Sequence, residues 1–407
     1  MLVSVISYYM LRACKYRIYP NNEQATLIKK HIGSCRFVYN WALKKKIELY
    51  EIEKKTISCY DLNILLPAMK AEYPWLMEIN AQSLQWANKN LDNAFTKFFR
   101  ERKGFPKFKS KKHPIQSFQV PQRYQVNFGE GYIRLPKIGK VKAKIHRIFY
   151  GTMKVATISM TPTGKFFISV SFDDGKIIPE KASYGDHTTI GIDVGLTHYA
   201  TLSNGTKIEN PRNLRSSLCL LKHHQRMLSR KVKGSSNYRK CKYRVAKVHE
   251  KVVNQRRDFQ HKLSTRIVRE NQAIAAETLN ISCLVRNHNL AFSIADAAWG
   301  RFLGMVRYKC DWYGKSFISI GQFDPSSKIC HVCGYYNEDL TLGMREWSCS
   351  QCGTHHDRDQ NAAINVKRFA LQYQNLIGTG LGQPSEPADS GPIGPGMKQE
   401  VTVFRRR

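Results

Sequence analysis

Apolar and polar positions change their period several times along the chain. Residues 15–19 read as a short strand closed by Pro20, and Asn22 then reads as the N-cap of a helix over residues 23–32. A second helix is expected over residues 36–53, with Phe37, Trp41, Leu43, Ile47 and Tyr50 on its packing face. Helical spacing returns over residues 81–99, where Leu84, Ala87, Leu91, Ala94 and Phe95 line one side. Residues 100–113 are dense in Lys and Arg, interleaved with Phe105, Pro106 and Phe108. From there to residue 173 the signals are strands and turns, and residues 156–160 and 166–172 flank Pro162-Thr163-Gly164 as a hairpin. An early helical block therefore interrupts a β-rich unit that starts near the N-terminus.

A polar linker over residues 174–186 leads to a second unit. Residues 188–195 form a buried strand, and residues 199–202 begin another that turns at Asn204-Gly205, a strong hairpin pair. A long basic stretch over residues 213–268 reads as two helices broken near Gly234-Ser235-Ser236. A buried strand over 274–279, a helix over 294–312 and a strand over 316–320 follow. After Val366 a short helix leads into a Gly/Pro-rich end whose composition predicts disorder.

Composition narrows the partners. At 407 residues the chain is long enough for about two to four units, each with its own core. Lys and Arg total 65 against 31 acids, a formal charge of +34, which self-repels unless a polyanion neutralises it. Membranes are the other anionic partner, but no apolar run approaches the roughly 20 residues of a span, so no membrane association is expected. Residues 2–10 are apolar but short, with no basic start and no cleavage site, so they are not read as a signal peptide, and a cytosolic compartment is expected. Of the 11 cysteines, Cys14, Cys35, Cys59, Cys219, Cys241, Cys283 and Cys310 are scattered, in keeping with a reducing compartment.

The other four are clustered. Cys330-x-x-Cys333 and Cys349-x-x-Cys352 are separated by 15 residues, the spacing of a ribbon whose four thiolates close a tetrahedral Zn²⁺ site. With no position left for water, that zinc is structural. Gly334 and Gly353 follow the two pairs, where tight turns can aim backbone amides at sulfur. His331, His355 and His356 lie close enough to substitute as ligands.

Acids are scarce here, so an acid on an apolar strand stands out. Asp193 ends Ile190-Gly191-Ile192-Asp193, and Glu277 ends Ala273-Ile274-Ala275-Ala276-Glu277. Burying either carboxylate is costly unless it is paired or binds a cation. Asp359 lies in Asp357-Arg358-Asp359-Gln360-Asn361, where a loop enters a helix. Singly, each has a structural explanation: a strand-end turn, a rim salt bridge, an N-cap. Together, with a hairpin after the first and helices between, they fit an α/β RNase H-like sheet that gathers carboxylates at one end of its central strands. Two Mg²⁺ ions about 4 Å apart on such carboxylates can activate water and stabilise a leaving 3′ oxygen.

Several segments then resemble one family. Lys15-Tyr16-Arg17-Ile18-Tyr19-Pro20 with Glu23-Gln24, Arg36-Phe37-Val38-Tyr39-Asn40, and Phe105-Pro106-Lys107-Phe108-Lys109 are similar to TnpB proteins encoded by transposons. So are Asn254-Gln255-Arg256, Ser326-Ser327-Lys328 and the DRDxNAAxN run from Asp357 to Asn365, which resembles the third RuvC motif. The resemblance spans about residues 14–370. It implies a wedge-like β-barrel over 1–20 and 101–183, interrupted by a helical recognition block over 21–100. It also implies a RuvC-like nuclease domain over 184–325 and 354–372, an inserted zinc ribbon over 326–353 and a disordered tail over 373–407. By motif match the catalytic carboxylates are Asp193, Glu277 and Asp359, with Asp357 a helper or cap.

The implied activity is RNA-guided cleavage of double-stranded DNA, with Zn²⁺ structural and Mg²⁺ catalytic. The guide RNA would derive from the transposon end, and protein would read a short flanking motif while base pairing reads the target. Arg345 is a candidate phosphate contact, and Lys107 and Lys109 can grip backbone beside Phe105 and Phe108. Gln82, Gln85, Asn88 and Asn90 offer amides for base edges. Three alternatives stand beside this reading: a guided DNA-binding repressor without cleavage, a DNA transposase sharing the fold, and a zinc-ribbon transcription or RNA-processing factor.

Overall fold

The computed structural model describes residues 9–341 and 343–378. Its first unit is built on seven antiparallel strands: β1 (Tyr9–Tyr19), β2 (Gln116–Val120), β3 (Gln125–Asn127), β4 (Tyr132–Leu135), β5 (Gly139–Lys144), β6 (Thr152–Met160) and β7 (Phe166–Ile177). Their order is β2-β6-β7-β1-β5-β4-β3, and no ladder joins the edges β2 and β3 among the described residues. Strict alternation drives the pairing, since Phe166, Ile168, Val170 and Phe172 of β7 are buried while the residues between them are half-exposed.

Between β1 and β2 the chain inserts α1 (Asn22–Glu53), α2 (Cys59–Ile64), α3 (Leu66–Glu72) and α4 (Ala81–Arg100). The N-cap of α1 is Asn21 rather than Asn22, closing a capping box with Gln24. The two helices expected over 23–53 are one continuous helix. Gly33 costs about 1 kcal/mol in a helix interior. Burial of Ile28, Ile32, Cys35, Val38 and Leu43 on one side outweighs that cost, and these residues join Phe118 and Val120 of β2 in one apolar cluster.

The second unit begins with β8 (Thr189–Asp193), β9 (His198–Leu202) and β10 (Lys207–Glu209), then α5 (Asn213–Ser216), α6 (Leu218–Ser229) and α7 (Ser236–Glu270). It continues through β11 (Ala273–Glu277), α8 (Ile281–Leu284), α9 (His288–Ala297), α10 (Trp299–Trp312) and β12 (Ser316–Ile320). A two-stranded ribbon of β13 (Glu346–Ser348) and β14 (His355–Asp357) then runs directly into α11 (Arg358–Gly378). The ribbon therefore extends past its expected limit at residue 353. The five-stranded sheet has the order β10-β9-β8-β11-β12, with β8, β11 and β12 parallel and β9 antiparallel to β8. This is the arrangement expected of an RNase H-like sheet.

Each face of that sheet has its own helices. Ile190, Ile192, Ile274 and Ala276 pack with Leu263 and Ile267 of α7 and Phe302 and Val306 of α10. On the other face Ala275 and Ile320 meet Val366 and Ala370 of α11. The helix expected over 294–312 is broken at Ala298, which sits at φ 53°. Buried Gln260 of α7 takes up the break, donating to the carbonyls of Ala297 and Ala298 at 3.1 Å each. Residues 373–378 of the expected tail belong to α11, anchored by the Tyr373 hydroxyl on Asp324, and the rest of that expectation, over residues 379–407, lies outside the described residues.

The seating of α11 on β8 is tight at one point. A methyl group added at Gly191 would meet the Ala363 carbonyl oxygen at 2.1 Å and the Lys367 nitrogen at 2.8 Å. Helix and strand backbones leave no room to give. Gly191→Ala should therefore destabilise the full chain by about 1–3 kcal/mol, as overpacking does. A lowered midpoint in thermal or urea unfolding checks this, and an unchanged midpoint would mean that α11 is free to ride outward.

Candidate active site and cysteine cluster

The two-residue period of a strand sets the site. Asp193 follows Gly191 by two residues, and Glu277 follows Ala275 by two, so both carboxylates fall on the face covered by α11. Ile192 and Ala276 are paired in the parallel ladder, so the acids that follow them end neighbouring strands about 4.8 Å apart. Asp359 lies in the first turn of α11, four residues before sheet-facing Ala363. The three expected carboxylates thus meet at the C-terminal edge of the parallel strands. Asp359 also sits at a helix N-terminus, where a negative charge is favoured.

Like charges crowd there. Burial, then the neighbouring charges of Glu277 and Asp359, push the Asp193 carboxyl well above its usual range, while Arg358 and Arg345 pull against them. Burial raises Glu277 as well, with Asp324 adding to the effect and a hydrogen bond from Ser326 opposing it. Such a site favours either protons or cations. Oxygen-only donors at a solvent-reachable strand edge fit a hard divalent cation.

Residues that the sequence reading placed in family-like motifs without a role hold Glu277 and the loop behind it in place. The Ser326 hydroxyl donates to Glu277 Oε1. Asn365 Nδ2 donates to the Ser326 carbonyl at 2.7 Å, and Asn361 Nδ2 to the Ile329 carbonyl at 2.7 Å. Both asparagines are fully buried, one turn apart on α11. Two amides at that spacing, inside a helix entered by an acidic loop, were the available signal.

Asp357 is the N-cap of α11, accepting from the Gln360 N–H at 2.9 Å and from Lys207 Nζ at 2.7 Å. Burial opposes its ionisation, but the Lys207 ammonium and the Gln360 N–H hold its carboxyl below the usual range. Asp359 is engaged instead by Arg358 at 3.1 Å and by half-exposed Arg345 at 3.5 Å. The candidate phosphate contact Arg345 therefore stands beside the carboxylates.

The four clustered cysteines converge: their sulfurs all lie within 4.8 Å of one another. Cys330–Cys352 and Cys333–Cys349 are 3.7 and 3.5 Å apart, close to the roughly 3.8 Å spacing of four sulfurs held 2.3 Å from one centre. The donor set fits a closed structural zinc. The two knuckles are built alike, with the Gly334 and Gly353 amides donating to the carbonyls of Cys330 and Cys349 at 2.9 Å. Those glycines sit at φ 82° and 72°, a backbone region that other residues enter reluctantly. Buried His356 places Nε2 3.1 Å from the Cys330 sulfur, beside the thiolates rather than in place of one. His331 contacts Asn361, and His355 is exposed beside Glu346.

The expected nucleic-acid contacts divide. Gln85, Lys107 and Phe108 are exposed, and Gln82 reaches Gln122 at 3.2 Å. Lys109 lies 4.0 Å over the Tyr39 ring, and its backbone pairs with the Asn40 amide, which docks the basic loop on α1. Asn88 is fully buried against Asn63, so it is withdrawn from base reading, and Asn90 is engaged with Gln119. Phe105 packs edge-on against Phe95 and Phe98.

Three family profiles match: a probable transposase over residues 176–288, a Cas12f1-like TNB domain over 299–366 and a helix-turn-helix domain over 10–55. In this chain the last covers β1 and the unbroken helix α1. A Streptomyces pristinaespiralis protein named "Putative RNA-guided DNA endonuclease" is 37% identical over 385 residues, covering 93% of this chain and 94% of that one. InsQ of Escherichia coli (strain K12), with the same designation, is 30% identical over 88% of this chain and 91% of its own. Among solved structures, Cas12f1 in a complex with sgRNA and target DNA superposes with a TM-score of 0.53 at 13% identity, covering 88% of this chain and 99% of that one. That likeness is one of fold, a RuvC nuclease sheet. Among the described residues, no helix is long and apolar enough to cross a membrane. On the strength of the two bacterial relatives, aligned over nearly their whole length, the chain belongs to the TnpB family of transposon-associated RNA-guided DNA endonucleases.

Proposed function

We propose that the chain cuts double-stranded target DNA with Asp193, Glu277 and Asp359, under the direction of a guide RNA derived from its transposon end. The observation that carries this reading is the meeting of those three carboxylates on one face of the sheet, at a helix N-terminus. When Mg²⁺ ions are bound there, they supply activation of the attacking water and neutralisation of the leaving 3′ oxygen. The chain's own part is to hold and orient. Asp193 and Glu277 fix the strand side of the ion site, Asp359 closes it from α11, and Ser326 sets the rotamer of Glu277. Arg345 reaches from the ribbon toward the phosphate being cut.

In the same reading the seven-stranded sheet is the wedge-like unit and α1–α4 the recognition block. Gln82 and Gln85 of α4 face the flanking motif, while Lys107 and Lys109 grip the backbone. The net charge of +34 is neutralised by the guide and its target, in the cytoplasm of a prokaryotic cell.

The primary test is plasmid cleavage with a randomised flank by the full chain and its copurified RNA in Mg²⁺. Asp193→Ala and Glu277→Gln should each lower cleavage about a hundredfold or more while RNA is retained. Cutting by Asp193→Ala at the parental rate would sink the reading. The third acid is separable: Asp357→Asn keeps a good N-cap and should keep most activity, whereas Asp359→Asn should lose it. The opposite order would move the third ligand to Asp357. Cys349→Ser or a zinc chelator should lower the thermal midpoint and cleavage together, because β14 leads straight into α11. An unchanged midpoint on verified zinc loss would detach the ribbon from the site.

A further inference from the structure

The four clustered cysteines are not equivalent. Cys333 and Cys352 are exposed, so water can donate to their sulfurs, and the Thr354 hydroxyl stands 3.1 Å from that of Cys352. Cys330 is 0% exposed. Four thiolates around one Zn²⁺ leave a net negative charge, and the buried share of it is costly unless a donor faces it. A side-chain nitrogen does face the Cys330 sulfur: His356 Nε2, at 3.1 Å. A zinc-bound thiolate carries no proton, so a hydrogen bond at this contact requires the hydrogen to sit on Nε2.

The ribbon holds the ring in that orientation. Alternation along β14 leaves His355 exposed and turns His356 inward, opposite buried Trp347 of β13. The Trp347 ring lies 4.6 Å from the imidazole on one side, and the His331 ring lies 4.9 Å away. His331 is held in turn, with its backbone N–H and its Nδ1 each 3.0 Å from Asn361 Oδ1 of α11.

Position along the chain gives this contact a consequence. His356 stands one residue before the N-cap Asp357 and three before Asp359. The backbone from Cys352 reaches α11 through the five residues 353–357. A bond from His356 to Cys330 adds a second link to the same metal cluster, from the opposite knuckle. Outer groups that donate to metal ligands set ligand orientation and hold the ion more tightly.

We propose that His356 donates its Nε2–H to the Cys330 thiolate of the zinc-loaded cluster, and that this bond ties the metal to the start of α11, where Asp359 stands. His356 is a positioning residue, touching a ligand and not the ion. The inference rests on the reading of the four cysteines as a structural zinc site and adds a fifth residue to that site.

The test uses the full chain loaded with zinc, or with cobalt in its place. His356→Phe keeps an aromatic ring beside Trp347 and removes the donor, whereas His356→Gln carries an amide N–H at a reach similar to that of Nε2. In competition with a chromogenic zinc chelator, His356→Phe should hold zinc about ten- to a hundredfold more weakly, and His356→Gln should restore most of the affinity. In the cobalt-loaded chains the thiolate-to-metal absorption should move to longer wavelength in His356→Phe and return in His356→Gln, a signature that ring packing alone does not produce. Hydrogen exchange over residues 355–361 should quicken in zinc-loaded His356→Phe and not in His356→Gln. The unaltered chain gives a readout that needs no variant to fold: with ¹⁵N-labelled histidine, the His356 ring should be protonated at Nε2 and shielded from exchange while zinc is bound. Zinc held equally by all three chains, with identical cobalt spectra, overturns the inference and leaves the zinc site standing. A His356 ring protonated at Nδ1 alone overturns it, as does a cobalt spectrum of three sulfurs and one nitrogen, which would make His356 a ligand. Unchanged exchange in folded His356→Phe overturns the tie to α11. If the unaltered chain binds neither zinc nor cobalt, the zinc reading fails and the inference fails with it.

Discussion

The backbone of α11 rests directly on the backbone of β8, and the rest of the second unit follows from that contact. Where Gly191 lacks a side chain, the Ala363 carbonyl comes close enough to exclude even a methyl group. A helix seated so deeply starts its first turn level with the end of the strand, which is where Asp193 stands. The same helix carries Asn361 and Asn365, which fasten the loop that brings Ser326 to Glu277. One close approach therefore sets three carboxylates, two from the sheet and one from the helix. Packing this dense is bistable rather than elastic, so the site is either assembled or lost.

Electrostatics work against that assembly. Three acids at one edge repel, and burial adds to the cost, as the raised Asp193 and Glu277 carboxyls record. The start of α11, Arg358 and Arg345 offset part of it, and a bound cation would offset the rest. The cysteine ribbon contributes mechanically. Its last strand becomes α11 with no intervening residue, and Arg358 donates its backbone N–H to the Arg345 carbonyl at 2.8 Å. A metal held by the four thiolates would thus stiffen the entry of the helix that brings Asp359 to the edge.

Much of this was legible in the sequence, for a physical reason in each case. Alternation on apolar strands marked Asp193 and Glu277, because a buried acid there needs a purpose. Paired C-x-x-C knuckles marked the ribbon, because thiolate spacing is set by coordination geometry. Less was legible where tertiary packing overrides local preference. The break expected near Gly33 does not occur, because one side of α1 is buried from Ile28 to Leu43, on both sides of that glycine. The break at Ala298 was invisible, because it depends on Gln260, which comes from another helix. Ser326, Asn361 and Asn365 carry no local signal strong enough to separate a positioning role from ordinary polarity. Asn88 looked available on a polar helix face and is instead buried against Asn63.

The order of the strands along the chain has a consequence for synthesis. Asp193 emerges early in the second unit and Glu277 near its middle, but Asp359 follows Asp193 by 166 residues and is separated from Glu277 by three helices, β12 and the whole ribbon. A nascent chain can fold its first sheet long before the third carboxylate exists. The carboxylate cluster is the last part of the described molecule to be completed. Until α11 is translated, the two strand-borne acids stand at the sheet edge without their third partner.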